Sequence, residues 1–155
     1  VTPQALLAQP QTALQALGLS ARKVDYMRGI ARQVVDGELD LPGMAALEDA
    51  EVCRRLAALR GIGVWTAEML LLFSLQRPDI LSYDDLAIRR GLRMLYRHKE
   101  MPRERFERYR RRFSPYGSLA SLYLWAIAGG ALPELDDPAE RKKGRSRPAA
   151  SLKSR

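Results

Sequence analysis

The chain has 155 residues, enough for one domain with a sizeable core, and its 46% hydrophobic and 28% charged residues fit a soluble globular protein. No apolar run approaches the ~20 residues that span a bilayer, and Val1-Thr2-Pro3-Gln4 has neither the basic start nor the apolar stretch of a signal peptide. One cysteine, Cys53, and one histidine, His98, exclude an internal disulfide and argue against a protein-held zinc or iron–sulfur site, so no metal and no cofactor is expected.

In chain order the sequence reads as helices. Thr2-Pro3 opens a short one, with Thr as a capping residue and Pro suited to a first turn. Gln11 to Leu17 is a second, stopped by Gly18. Ser20 caps a longer one to about Asp36, with Val24, Met27, Ile30, Ala31, Val34 and Val35 on one face. A turn at Leu39–Gly43 precedes a helix from about Asp49 to Leu59. The next begins near Val64 and contains Met69-Leu70-Leu71-Leu72-Phe73, the expected central buried helix. Asp84 or Asp85 caps another to about Tyr96, one more spans about Arg103 to Phe113, and a last apolar helix runs to about Ala128. No segment alternates with period two, so the expected fold is all-α. The expected domain is 1–134. From Leu135 the chain is rich in Pro, Arg, Lys and Ser with little to bury, and 135–155 is expected to be a disordered basic tail.

The charge follows this division. The net charge is +8, but seven cations face one acid, Glu140, after Pro138, which leaves only +2 on the chain before it. Such a tail can hold phosphates non-specifically or simply be solvated.

Leu59-Arg60-Gly61-Ile62-Gly63-Val64-Trp65-Thr66-Ala67 is the most informative stretch. Two glycines around one apolar residue make a tight turn between helices, with Ile62 placed to tuck between them. The amides of the turn and of the next helix start then face outward, where such groups bind phosphate. An ordinary helical hairpin would also carry Gly-x-Gly. Some twenty residues later comes Ser82-Tyr83-Asp84-Asp85-Leu86-Ala87-Ile88-Arg89-Arg90-Gly91, whose acids read in isolation as a helix cap.

Taken together, Leu-x-Gly-Ile-Gly-x-Trp-Thr-Ala and Leu-Ala-Ile-Arg-Arg-Gly resemble the helix-hairpin-helix DNA glycosylase superfamily, and most of all its 3-methyladenine DNA glycosylase II branch. Gly18-Leu19-Ser20-x-x-Lys23 and Pro115-Tyr116-Gly117-Ser118 with the following helix extend the likeness from about Leu17 to Leu132. The resemblance implies a base-excision enzyme that cleaves the bond between an alkylated purine and its sugar in damaged duplex DNA, acting as a monomer in the cytoplasm (nucleoid) or nucleus and not at a membrane. It assigns the catalytic carboxylate to Asp85, with Asp84 as its neighbour. Trp65, Trp125 and Tyr116 become candidates for the base pocket, and Arg60, Gly61, Ile62, Gly63, Thr66, Arg89 and Arg90 for DNA contact. Arg60 stands where proline is frequent in the superfamily. Members with lyase activity carry a lysine just after the hairpin, where this chain has Trp65, which implies a monofunctional glycosylase using water. The resemblance also implies at least one further helix upstream of Val1. Two other readings stay open: a non-catalytic DNA-binding module that uses the hairpin alone, and a glycosylase for oxidised or mismatched bases.

Overall fold

The computed structural model describes residues 1–140, and among them every element is a helix. In chain order these are α1 (Pro3–Ala8), α2 (Gln11–Ala16), α3 (Ala21–Val35), α4 (Leu41–Met44), α5 (Asp49–Ala57), α6 (Val64–Phe73), α7 (Leu86–Tyr96), α8 (Arg103–Phe113) and α9 (Gly117–Ala128). The caps expected at the first and third helices form: Thr2 accepts a hydrogen bond from the Ala5 amide at 3.2 Å, and Ser20 from the Lys23 amide at 3.3 Å.

The apolar residues gather into two adjoining cores. Val52 and Leu56 of α5, Ala67, Leu71 and Leu72 of α6, and Leu39, Met44 and Ile80 form the first. Leu81, Ile88 and Leu92 of α7, Met101, Phe106 of α8 and Leu124 of α9 form the second. Each fully buried Leu or Ile contributes roughly 1.5–3 kcal/mol relative to exposure. The chain crosses from one core to the other at Ile80–Leu81, immediately before the acidic segment. Trp125 on α9 packs against both. The acids at 84–85 are therefore delivered to a seam between two cores.

Helices α7 and α9 approach so closely at Gly91 that a Cβ there would collide with the Leu124 carbonyl oxygen. A backbone atom cannot swing aside as a side chain can, so Gly91→Ala should cost about 1–3 kcal/mol through overpacking. At roughly 2–4 °C per kcal/mol for a chain of this size, thermal melting would register the loss directly.

The C-terminal segment differs from the sequence expectation. Within residues 135–140 one side chain is anchored: Asp137 is fully buried and accepts from Arg93 Nε at 3.0 Å and Nη2 at 2.5 Å, while Asp136, Ala139 and Glu140 are exposed. Glu140 takes a hydrogen bond from Arg90 Nη2 at 3.1 Å. A composition-based reading sees only a polar stretch here, because the partners lie 44 to 50 residues away on α7. The remainder of the expected tail, 141–155, lies outside the described residues.

The Arg93 guanidinium holds the Asp137 carboxyl below its ordinary value, against the opposing effect of burial. A depressed folded-state pKa stabilises the fold fully above the unfolded value of about 3.9 and loses that contribution as pH falls through the folded value. The melting temperature of Asp137→Asn should therefore lie below that of the wild type at neutral pH, with the gap closing in acid below about pH 4.

Candidate active site

The hairpin between α5 and α6 forms as its sequence requires. Gly61 has φ +93°, and the Tyr26 ring lies where a Cβ would stand, so two constraints demand glycine at once. Ile62 is half-buried and packs against the first core, tying the turn down. Gly63 begins α6 with an extended φ of −92° and open space around its Cα. No side chain caps that helix start, so the first-turn amides at Val64–Thr66 are left to solvent or a ligand. Arg60 is exposed beside them, paired with Asp25 at 3.2 Å and lying over the Tyr26 ring.

Asp85 is 6% exposed and is the N-cap of α7. Its Oδ1 accepts from the Ile88 amide at 2.9 Å, and its Oδ2 accepts from the Trp65 indole Nε1 at 2.9 Å. Asp84 is exposed and turns away, into a separate cleft with Glu68 and Arg103. Of the two neighbouring acids, only Asp85 is buried and bonded to the Trp65 indole. Burial alone would push the Asp85 carboxyl up. The Trp65 indole and the Ile88 amide, with smaller contributions from Trp125 and the Ala87 amide, outweigh it and hold the group below its ordinary value. Asp85 is consequently an anion at neutral pH in a largely dry setting. Trp65→Phe removes the strongest of these donors, so the Asp85 carboxyl should titrate higher than in the wild type when followed by carbon NMR.

The surroundings of this carboxylate are apolar and open on one side. Trp65 is 46% exposed, Leu86 beside Asp85 is 73% exposed and Phe73 is 60% exposed. The Phe73 ring stacks on Trp125, with centroids 5.7 Å apart and planes within 11°. Phe73 was not among the residues singled out from the sequence, where it reads as part of the buried apolar run. Its place on α6, eight residues after Trp65, was the available signal.

Three sequence-predicted residues are placed otherwise. Tyr116 precedes α9 and is exposed in an apolar groove of about 320 Å³ with Leu95, Phe113, Leu119 and Tyr123, away from Asp85. Trp125 stands nine positions further on, about two and a half helical turns, and so faces the opposite side of α9. Arg90 is engaged by Glu140, and Arg89 lies over the Tyr83 ring with its guanidinium 4.9 Å from the centroid. Neither arginine stands free toward the hairpin, because the helix turn that carries them faces the C-terminal segment and Tyr83.

A buried carboxylate is thus bonded to the half-exposed Trp65 indole, in the first turn of the uncapped helix α6. The HhH-GPD profile, "HhH-GPD superfamily base excision DNA repair protein", matches residues 1–115. The chain belongs to the HhH-GPD superfamily. DNA-3-methyladenine glycosylase 1 of Schizosaccharomyces pombe is 35% identical over 144 residues, covering 92% of this chain and 62% of that protein. DNA-3-methyladenine glycosylase 2 of Escherichia coli is 30% identical over 128 residues, covering 83% of this chain and 43% of that protein. The solved structure of the S. pombe 3-methyladenine DNA glycosylase in complex with abasic DNA superposes with a TM-score of 0.72 at 35% identity, covering 81% of this chain and 62% of the other. The chain therefore spans about two-fifths to three-fifths of the length of these HhH-GPD relatives. No helix among the described residues is long and apolar enough to cross a membrane.

Proposed function

We propose that this protein is a DNA glycosylase that hydrolyses the N-glycosidic bond of alkylated purines in duplex DNA, with Asp85 as its catalytic residue. The observation that carries the proposal is the Trp65–Asp85 pair, a buried carboxylate held as an anion by an indole that itself lines the opening. Its relatives being DNA-3-methyladenine glycosylases supports the substrate class.

The chemistry follows from the geometry. The reacting bond is hidden inside a duplex, so the damaged nucleotide must swing out to reach the carboxylate. The hairpin amides and Gly63, where no side chain intervenes, hold the backbone phosphate next to that nucleotide. As the bond to the base stretches, positive charge grows on the sugar, and the fixed anion stabilises it without reorganising. Water, oriented by the same carboxylate, adds to the anomeric carbon and gives its proton to that carboxylate, while the base leaves with the bonding electron pair. An alkylated purine is already cationic and leaves without much acid assistance. The faces of Trp65 and Trp125 attract such a cationic ring.

Trp65 occupies the place where lyase members carry lysine, so no Schiff base forms and the product is an unbroken abasic strand. The protein works as a monomer on chromosomal DNA in the cytoplasm (nucleoid) or nucleus. Borohydride added during turnover should trap no covalent protein–DNA adduct, and gel analysis should find strand breaks only after alkali. An adduct would contradict the monofunctional assignment.

A further inference from the structure

Asp85 is not the only link between α6 and the segment that enters α7. One turn along α6 from Trp65, the half-buried Glu68 carboxylate accepts a hydrogen bond from Ser82 Oγ. Ser82 precedes Asp85 by the same three residues that separate Glu68 from Trp65. The two contacts are therefore rungs of an antiparallel ladder, Trp65 to Asp85 and Glu68 to Ser82. One rung would leave the 82–85 segment free to pivot, whereas two fix both its position and its direction against α6.

Ser82 is completely buried, within the run Ile80–Leu81–Ser82 that crosses from one core to the other. Its hydroxyl needs an internal partner, and among the described residues Glu68 supplies it. Glu68 does not line the opening at Trp65. It faces a different cleft, of about 660 Å³, on another side of α6, together with Val64, Leu71, Asp84 and Arg103. There burial pushes its carboxyl up, with Asp84 and Asp85 adding to the effect and Ser82 and Arg103 opposing it.

We infer that Glu68 is a positioning residue for Asp85: through Ser82 it sets where the reacting carboxylate stands, without touching the substrate. This rests on the reading of Asp85 as the catalytic group. Displacing a reacting group by about 1 Å can cost on the order of 100-fold in rate, so a lost rung should register in kcat far more than in stability.

The test compares Glu68→Ala, Glu68→Gln and Ser82→Ala with the wild type and Asp85→Asn. Glu68→Ala should lower kcat about tenfold or more while KM stays within about twofold, since substrate binding is untouched. Glu68→Gln keeps an oxygen that can accept from Ser82 and should retain kcat to within about threefold. Ser82→Ala should reproduce Glu68→Ala, and the double variant should be no worse than either, as for two halves of one contact. A second readout needs no activity. The chain has only two tryptophans, and the indole N–H signal of Trp65 reports its bond to Asp85 in proton–nitrogen NMR. In Glu68→Ala that signal should move toward its position in Asp85→Asn, and in Glu68→Gln it should stay. An unchanged kcat and an unmoved indole signal in Glu68→Ala would overturn the inference. So would a Glu68→Gln variant as impaired as Glu68→Ala, which would make the charge, not the contact, the active feature. If Asp85→Asn keeps full activity, the proposed role of Asp85 fails instead, and the indole signal still decides whether Glu68 holds it.

Discussion

Asp85→Asn is expected to lower the rate of base release by at least about 10³-fold while leaving the fold intact, a loss of about 4 kcal/mol of transition-state stabilisation. The substitution keeps the size of the side chain but removes its charge and, with NH2 in place of Oδ2, the acceptor of the Trp65 indole N–H. Asparagine caps helices as well as aspartate, so its carbonyl oxygen can still accept from the Ile88 amide. Thermal melting of the variant should therefore stay within a few degrees of the wild type. What disappears is the anion that faces the developing oxocarbenium ion. Because Asp85 is held below its ordinary value by the Trp65 indole and the Ile88 amide, the wild-type rate should show no titration of this group between about pH 5 and pH 8. The same depression means that Asp85 stabilises the fold at neutral pH and loses that contribution only in strong acid. Duplex affinity should change little in Asp85→Asn, which separates a catalytic role from a binding one.

The second large effect is expected at Trp125. Replacement by alanine should reduce kcat/KM on a cationic alkylated purine by about 10- to 100-fold, in line with roughly 1–3 kcal/mol for stacking of one base on an aromatic ring. Three losses contribute. The indole face goes, the Phe73 ring stacked on it at 5.7 Å loses its support, and one of the groups that keep Asp85 ionised is removed. Trp125→Phe preserves the flat face and the stack but not the N–H, and it should keep most of the activity. The loss in Trp125→Ala should be smaller for a neutral lesion such as hypoxanthine, because the attraction of a cation to the indole is then absent. Equal losses on cationic and neutral bases would show that Trp125 acts only as a packing residue at the seam of the two cores. Competition between two lesion duplexes in one reaction measures that ratio without separate kinetic constants.

Much of the site was legible because it is local in the chain. Gly61-Ile62-Gly63 specifies its own turn through positive φ at Gly61 and an apolar anchor at Ile62. Asp85 specifies its own cap through the amide of Ile88, three residues on. The expectation for Asp85 over Asp84 rested on a resemblance; the indole bond to Asp85 spans 20 residues and carries no local sequence signal.

Contacts between distant stretches were not legible. A polar run after Leu135 carries no periodicity, yet Asp137 is buried because two α7 arginines converge on it. That pairing also explains why Arg90, which looks free on sequence, is engaged. Tyr116 lies nine positions before Trp125, about two and a half turns at 3.6 residues per turn, so the two face opposite sides of α9, and Tyr116 lines a groove with Leu124 and Ile127 instead. Phe73 was hidden by composition, since an apolar residue in an apolar helix gives no sign of which side it faces. Glu68 was hidden because its partner, Ser82, lies on a segment with no regular structure.

The most direct test of the account is product analysis on a duplex carrying one 3-methyladenine or 7-methylguanine. The strand and the released base are followed in the same reaction. The account predicts free alkylated base in stoichiometric amount with an abasic strand that breaks only on alkali treatment, and neither product from Asp85→Asn. Binding of the duplex without any release of base, or strand cleavage in the absence of alkali, would contradict it.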